Sequence, residues 1–378
     1  MSPSVRLSVQ RTISYRLPML VVLFTALLLG ACGGSAAAPA SSAPPAGTSA
    51  APSGAVELAR YQAADRQQVL EADARKEASL TWYTVMAGDA IDALTNGFQQ
   101  KYPYLKVDVY RADETAIVTR ATQEAQANKQ VFDVVDLGSP GIDLIGDAKL
   151  LTPYFSPSLS GLPDELKSGM SGSMVSLASD WTTIIGFGWN TQLIPDGAVP
   201  KTQDDFMNPA LSGKMSLAGT TTGYNWIGSI LKAKGDEKGK QWLQDFAKQQ
   251  KPTVQQISGK ALLDLVAKGE VPASPTIYRD HVRQAQAQKA PVNWVPIEPD
   301  ATLVTKMGIA AKAPHANAGL LFVDYILGEG QPILKDHFYT TGGEKLPFTI
   351  WPIGEGRTTD EAAKDQQAWG DLFKADFR

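Results

Sequence analysis

The sequence predicts an α/β protein of two lobes with a cleft between them. From Ser79 to Val135, segments alternate as strand, helix, strand, helix, strand, the order that builds a largely parallel sheet. A second unit of the same kind follows the extended run Thr182 to Thr191 and closes near Thr276. The chain has 378 residues, 43% hydrophobic and 20% charged, enough for two domains with ordinary cores.

Val56 to Ala78 lacks Pro and is rich in strong helix formers, which predicts one leading helix. The strand Ser79 to Thr84 (SLTWYT) follows. Ile91, Leu94, Phe98 and Tyr102 recur at helical spacing over Ala90 to Tyr102, and Pro103 stops that helix. Leu105 to Tyr110 alternates as a strand does; a helix runs through Ile117, Val118 and Ala121 to Ala127, and Val131 to Val135 is a third strand. In such sheets ligands bind beyond the carboxyl ends of the strands, which singles out the small-residue loops Val85 to Asp89 and Leu137 to Gly141.

In the second unit Lys214 to Ala218 reads as a strand, Thr220 to Tyr224 (TTTGY) as its loop and Asn225 to Ala233 as a helix. Trp242 to Lys248 and Lys260 to Lys268 are amphipathic helices, the second stopped by Gly269. Pro272 and Pro275 lack N–H donors, so Val271 to Thr276 is expected to be a short strand breaking into a cleft loop. Val292 to Ile297 and Leu303 to Ala310 run back as extended segments. Ala316 to Leu327 is a strongly apolar helix, and a final helix ends the chain. Two α/β units joined by extended crossings have the shape of a hinge-closing molecule.

The N-terminus has its own logic. Arg6, Arg11 and Arg16 precede the apolar run Leu17 to Ala31, which contains Pro18. That run is short of the ~20 residues that span a bilayer, but it suits the core of a secretory signal. Leu29-Gly30-Ala31-Cys32 resembles the lipobox cut by the lipoprotein signal peptidase. The resemblance implies that residues 1–31 are a signal peptide and that Cys32 carries a lipid, holding the mature protein outside the cytoplasmic membrane. Cys32 is the sole Cys, so no intramolecular disulfide exists, and a body of this size has core enough without one. Residues 32–56 are almost all small and should form a flexible tether. Loss of residues 1–31 removes three Arg and no acid, leaving 32 basic against 39 acidic residues, or −7. No basic run is present, which argues against a nucleic-acid partner.

Several segments resemble one family in order and spacing. They are Glu71 to Thr84 (EADARKEASLTWYT), Phe98 to Pro103 (FQQKYP), Phe132-Asp133-Val134-Val135, Gly186 to Thr191 (GFGWNT), Leu211 to Lys214, Val266 to Glu270, and Ala313 to Ala318 through Gln331. Together they are similar to the extracytoplasmic solute-binding proteins of ABC importers, closest to the ferric-iron-transport branch. The resemblance implies a type II periplasmic-binding-protein fold. After a leading helix at 57–78, the first lobe is discontinuous, 79–184 and 302–378, and the second lobe is 188–298. It further implies a monomer that captures a small solute between its lobes, closes on it, and docks on an ABC permease. Ferric-binding relatives carry adjacent Tyr residues whose phenolates suit Fe(III); here the matching stretch is Ser274 to His281, with no Tyr-Tyr pair. Direct ferric binding is therefore the alternative, and no metal or cofactor is expected.

The expected ligand is a small anionic or zwitterionic solute, met by hydroxyls and glycines. Thr84 and Met86, Gly138 and Ser139, Asp180 and Trp181, Thr220, Thr221, Thr222 and Tyr224, and Ser274, Thr276 and Tyr278 are the expected binding residues. The Thr run lies where a strand meets a helix N-terminus, a place that favours anions. An ordinary N-cap accounts for it as well. Arg111 and Arg279 are positioned to clamp an anion, though a solvated surface role explains them better, and Trp181 reads equally as core. Catalysis has little support. His281, His315 and His337 form no HExxH zinc motif, and neither Gly-x-Ser-x-Gly nor a phosphate loop is present. Ser229 to Lys232 fits Ser-x-x-Lys, but its companions fail: Ser179-Asp180 is followed by Trp181, and Lys201-Thr202 by Gln203. An extracytoplasmic hydrolase is thus the weaker alternative, and a purely structural lipoprotein without ligand-driven closure is a third.

Overall fold

The computed structural model describes residues 52, 54–86, 88–342 and 344–377. The expected signal segment, Cys32 and residues 33–51 of the tether lie outside the described residues.

Two helices precede the first strand where the sequence predicts one. α1 (Ala55–Arg60) and α2 (Arg66–Glu77) part at Tyr61, which is extended and donates its hydroxyl to Asp65 at 2.6 Å. Tertiary contact makes the break. Leu58 and Ala59 are buried, and the Ala59 carbonyl accepts the N–H of Phe155 at 2.8 Å.

β1 (Ser79–Thr84), α3 (Gly88–Lys101), β2 (Lys106–Arg111), α4 (Glu114–Gln126) and β3 (Val134–Leu137) follow in the expected order, with β2 and β3 parallel to β1. β3 starts three residues later than the sequence suggests. Just before it the Asp133 carboxylate accepts the N–H of Thr81 at 2.8 Å and, at 2.6 Å, the N–H of His315. α5 (Gly141–Asp147), β4 (Leu151–Thr152) and β5 (Lys167–Ser168) lead to β6 (Leu177–Asn190), which is buried at every position.

The second lobe then runs β7 (Ser216–Ala218), α6 (Thr221–Lys234), α7 (Asp236–Gln250), β8 (Thr253–Gln255), α8 (Gly259–Lys268), β9 (Ala273–Tyr278), α9 (Arg279–Ala287) and β10 (Val292–Val295). β11 (Asp300–Ala310) returns to the first lobe, and α10 (Ala316–Leu327), α11 (Gly330–Asp336), β12 (Ile350–Pro352) and α12 (Thr359–Asp376) complete the chain.

β6 and β11 are the crossings. The first half of β6 pairs antiparallel with β11, while its second half lies between β9 and β10. β11 in turn lies antiparallel to β3, so one sheet passes through both lobes. The expected break of 271–276 into a cleft loop does not occur. β9 is continuous, and its register against β6 slips between Gly186 and Gly188, a bulge that spares Pro275 the donor it lacks.

Each lobe has its own core. Trp82, Phe98 and Phe322 meet edge to face in the first, with centroids 5.0–5.1 Å apart. Phe187, Phe206, Trp226 and Phe246 centre the second. Trp351, Trp369, Phe373 and Phe377 join that second core, and α12 packs on α6. The segment 302–378, which the resemblance groups in the first lobe, thus touches both cores, α10 lying in the first and α12 packing on the second. The apolar face of α12 had no signal naming its partner.

Candidate functional site

The crossing strands have two faces, and alternate side chains serve each. Trp181 and Thr183 of β6 and Leu303 of β11 floor a cleft of about 550 Å³ between the lobes. Thr182, Val304 and Lys306 face a larger hollow of about 1230 Å³ on the other side. Ser139 borders both. The larger hollow carries the carboxylates of Asp143, Asp147, Glu165 and Glu344. Its helix N-terminus, that of α12, is already closed by a capping box between Thr358 and Glu361. The smaller cleft differs: helix starts converge on it, that of α6 without a side-chain cap.

The second-lobe wall is made of those ends. α6 begins at Thr221 with Thr220 as N-cap, yet Thr220 makes no side-chain cap bond. Its first N–H groups have no intrahelical partner, and they line the cleft through Thr220, Thr221 and Thr222. α8 starts beside it: Ser258 caps Ala261 N, and Gly259 and Lys260 face the cleft. Tyr278, at the end of β9, donates its hydroxyl to Thr222 Oγ1 at 3.4 Å. Burial pushes the Tyr278 phenol up to about 12, so it stays protonated. Asp280 and His281 in the first turn of α9 complete this wall.

The first-lobe wall carries charge. Arg111, at the end of β2, reaches the cleft with Nε 3.3 Å from the Met86 carbonyl. Glu114, the first residue of α4, accepts the N–H of Gly141 at 3.1 Å. Burial lifts its carboxyl to about 7 against the pull of that hydrogen bond. Gly141 is small for a reason, since a Cβ there would lie 2.5 Å from Glu114 Cγ. Behind Trp181 lie two buried acids. Asp136 accepts from the Trp82 indole, from Thr84 Oγ1 at 3.0 Å and from Trp181 Nε1 at 3.4 Å, yet burial still lifts it to about 7. Asp180 is raised well above the usual carboxylate range by its burial and by the charge of Asp136.

Seven of the residues expected from sequence come together at the cleft: Ser139, Trp181, Thr220, Thr221, Thr222, Tyr224 and Tyr278. The other six do not. Thr84 and Met86 are fully buried, the Thr84 hydroxyl accepting Met86 N at 2.9 Å and donating to Asp136. Asp180 is sealed in the core behind Trp181. Thr276 Oγ1 accepts Ala218 N at 2.9 Å, and Ser274 Oγ accepts Thr276 N at 3.0 Å, so both tie β9 to its neighbours. Gly138 lies beneath Leu303, where a Cβ would sit 2.1 Å from Leu303 Cδ1. Strand parity turns Thr84, Asp180, Ser274 and Thr276 inward, while Met86 and Gly138, just beyond β1 and β3, are buried against the core. Tyr224 reaches the cleft while its ring packs on Phe373 at 5.5 Å.

Residues 93–342 match the family of bacterial extracellular solute-binding proteins. The chain belongs to that family. No curated protein sequence matches it. Among solved structures, iron-bound HitA from Pseudomonas aeruginosa is similar at a TM-score of 0.63 and 19% identity, covering 78% of this chain and 99% of that one. AfuA from Actinobacillus pleuropneumoniae with fructose-6-phosphate bound has a TM-score of 0.63 and 19% identity, covering 79% and 98%. The ferric binding protein from Campylobacter jejuni has a TM-score of 0.61 and 12% identity, covering 78% and 98%. The fold is that of the type II periplasmic binding proteins.

In this solute-binding protein, sequence reasoning passed over Glu114, Ser258 to Lys260, Asp280 and His281. Ser258 followed by an apolar helical run is an N-cap pattern, so the start of α8 was open to detection. Arg111, for which the sequence favours a solvated surface role over an anion clamp, lies at the cleft. Arg279 does not; it pairs with Glu344 at 3.0 Å and approaches Thr340 Oγ1 at 3.5 Å. Among the described residues no helix is long and apolar enough to cross a membrane, and no group of three or more His, Cys, Asp or Glu is placed to hold a metal.

Proposed function

We propose that this solute-binding protein captures a small anionic or zwitterionic organic solute in the 550 Å³ cleft and delivers it to an ABC importer. A lipid on Cys32 tethers it outside the membrane, and it works as a monomer without cofactor. The observation that carries the reading is the meeting of the uncapped N-terminus of α6 and the start of α8 at one cleft with Arg111 opposite. Backbone N–H groups and helix dipoles favour negative charge there, and the Thr hydroxyls add donors that read carboxylate or phosphate oxygens. An arginine brings a fork of donors for the same oxygens. Tyr224 and Tyr278 cover the bound solute. Ligand held by both walls draws the lobes together, because only the closed form offers both sets of contacts.

Direct ferric binding fits the donor set less well. Fe(III) asks for hard anionic oxygens, whereas the Tyr278 phenol is protonated and occupied with Thr222. The test is a thermal-shift panel of carboxylates, phosphate esters, phosphonates, polyamines, sugars and ferric chelates. At a hundredfold excess over its dissociation constant a true ligand adds about 2.7 kcal/mol of stability. A saturable shift with one anionic class supports the reading. A shift with ferric ion alone, or with no class at all, refutes it.

A further inference from the structure

The start of α9 holds two buried polar atoms that nothing in the protein satisfies. Asp280 is 3% exposed and His281 9%. The Thr183 hydroxyl donates to Asp280 Oδ1, but Asp280 Oδ2 and His281 Nδ1 have no hydrogen-bond partner. Oδ2 lies 3.6 Å from His281 Nε2, beyond hydrogen-bond reach but on the side that draws the ring proton to Nε2. Burial pushes the His281 pKa down, and the positive charges of Lys260 and Arg111 act the same way against the pull of Asp280, so the ring is neutral. In that tautomer Nδ1 is an acceptor, and both open atoms ask for donors.

Buried acceptors left open are costly, and natural structures rarely carry them without reason. Asp280 and His281 line the cleft beside Tyr278, whose ring meets His281 edge-on at 5.5 Å. A purely anionic solute has no donor for them and would be repelled by the carboxylate. A hydroxyl offers one hydrogen, too few for two acceptors. A primary ammonium offers three, together with the charge that Asp280 lacks a partner for.

We propose that Asp280 and His281 form a subsite for a protonated amine, so that the captured solute is a zwitterion with its ammonium there and its anionic end on the N-termini of α6 and α8. This rests on the reading of the cleft as a capture site.

Isothermal titration of the full-length protein with two matched pairs tests it: phosphoethanolamine against ethyl phosphate, and γ-aminobutyrate against butyrate. The two pairs separate a phosphate from a carboxylate at the anionic end. In at least one pair the amine-bearing member is expected to bind about tenfold tighter or more. In Asp280→Asn that ratio collapses to within about twofold, and in His281→Phe it shrinks, since each removes one acceptor. Equal affinity within both pairs in the wild-type protein overturns the ammonium subsite while leaving anion capture standing. A preference that survives both substitutions overturns it too. If none of the four binds, the subsite is overturned as stated, and the wider thermal-shift panel then decides separately whether the cleft captures anions at all. The wild-type comparison needs no variant to fold.

Discussion

Replacing Gly138 with Ala would place a methyl carbon 2.1 Å from Cδ1, 2.8 Å from Cγ and 3.4 Å from Cδ2 of Leu303. Carbon atoms settle at about 3.5–4.0 Å, so the first contact is short by roughly 1.5 Å. Leu303 must leave its rotamer or β11 must shift. Overpacking of this kind costs about 1–3 kcal/mol. Leu303 also floors the cleft and packs against the second-lobe core, so its displacement narrows the site as well. Leu303→Ala alone is expected to cost about 2 kcal/mol, the low end for a leucine because the residue is half-buried. In the double variant the added methyl has nothing to strike. Its loss should fall short of the sum of the single losses by about 1–2 kcal/mol. Urea unfolding of the four proteins with slopes compared measures this directly. Losses that add to within about 0.5 kcal/mol, or a neutral Gly138→Ala, would refute the packing role and return Gly138 to the list of ligand contacts.

Three further expectations concern buried charge and helix capping. Asp300 accepts Ile297 N at 2.6 Å through Oδ1, has no partner for Oδ2, and is lifted by burial to about 7. Its folded pKa exceeds the unfolded one, so the folded state keeps a proton that the unfolded chain loses, and stability falls as pH rises from about 4 to 7. Asp300→Asn keeps the acceptor for Ile297 and should stabilise the protein at pH 8 by up to about 4 kcal/mol but not at pH 4, as read by chemical unfolding at both; an equal effect at the two pH values would contradict this. Arg66 forms a buried ion pair with Asp324 and donates to the Phe155 carbonyl at 3.1 Å, joining α2 to α10. Arg66→Ala strands a buried carboxylate and should cost about 3–5 kcal/mol, visible as a large fall in melting temperature. Thr358→Ala opens the capping box of α12 and should cost about 1 kcal/mol, with faster amide exchange confined to the first turn of that helix.

Much of this molecule was legible from the sequence because local physics decides it. Hydrophobic period placed β1, α3, β2 and α4, and Gly269 takes the left-handed φ of 79° that its role as helix stop requires. The strand-to-helix junction at Thr220 is local too, and it led to the cleft. Longer-range matters were not legible. α1 and α2 part because Phe155, far along the chain, takes the Ala59 carbonyl. Pro275 sits inside a strand because β6 offers it a bulge. Whether Thr84 and Thr276 face ligand or core depends on the parity of their strands against neighbours, and one residue of register reverses it.

The sequence by itself therefore determined the α/β class, the two-unit order and the helix N-terminus at which an anion is expected. Those depend on side-chain period, capping and backbone donors within a few residues of one another. Only the tertiary structure decided which face of the crossing strands carries the cleft, that α12 packs on the second core, and that Arg111, Glu114, Asp280 and His281 border the same cleft. These are contacts between segments up to about 170 residues apart, selected by how two cores close around shared strands; no local rule fixes which distant side chains that closure brings together.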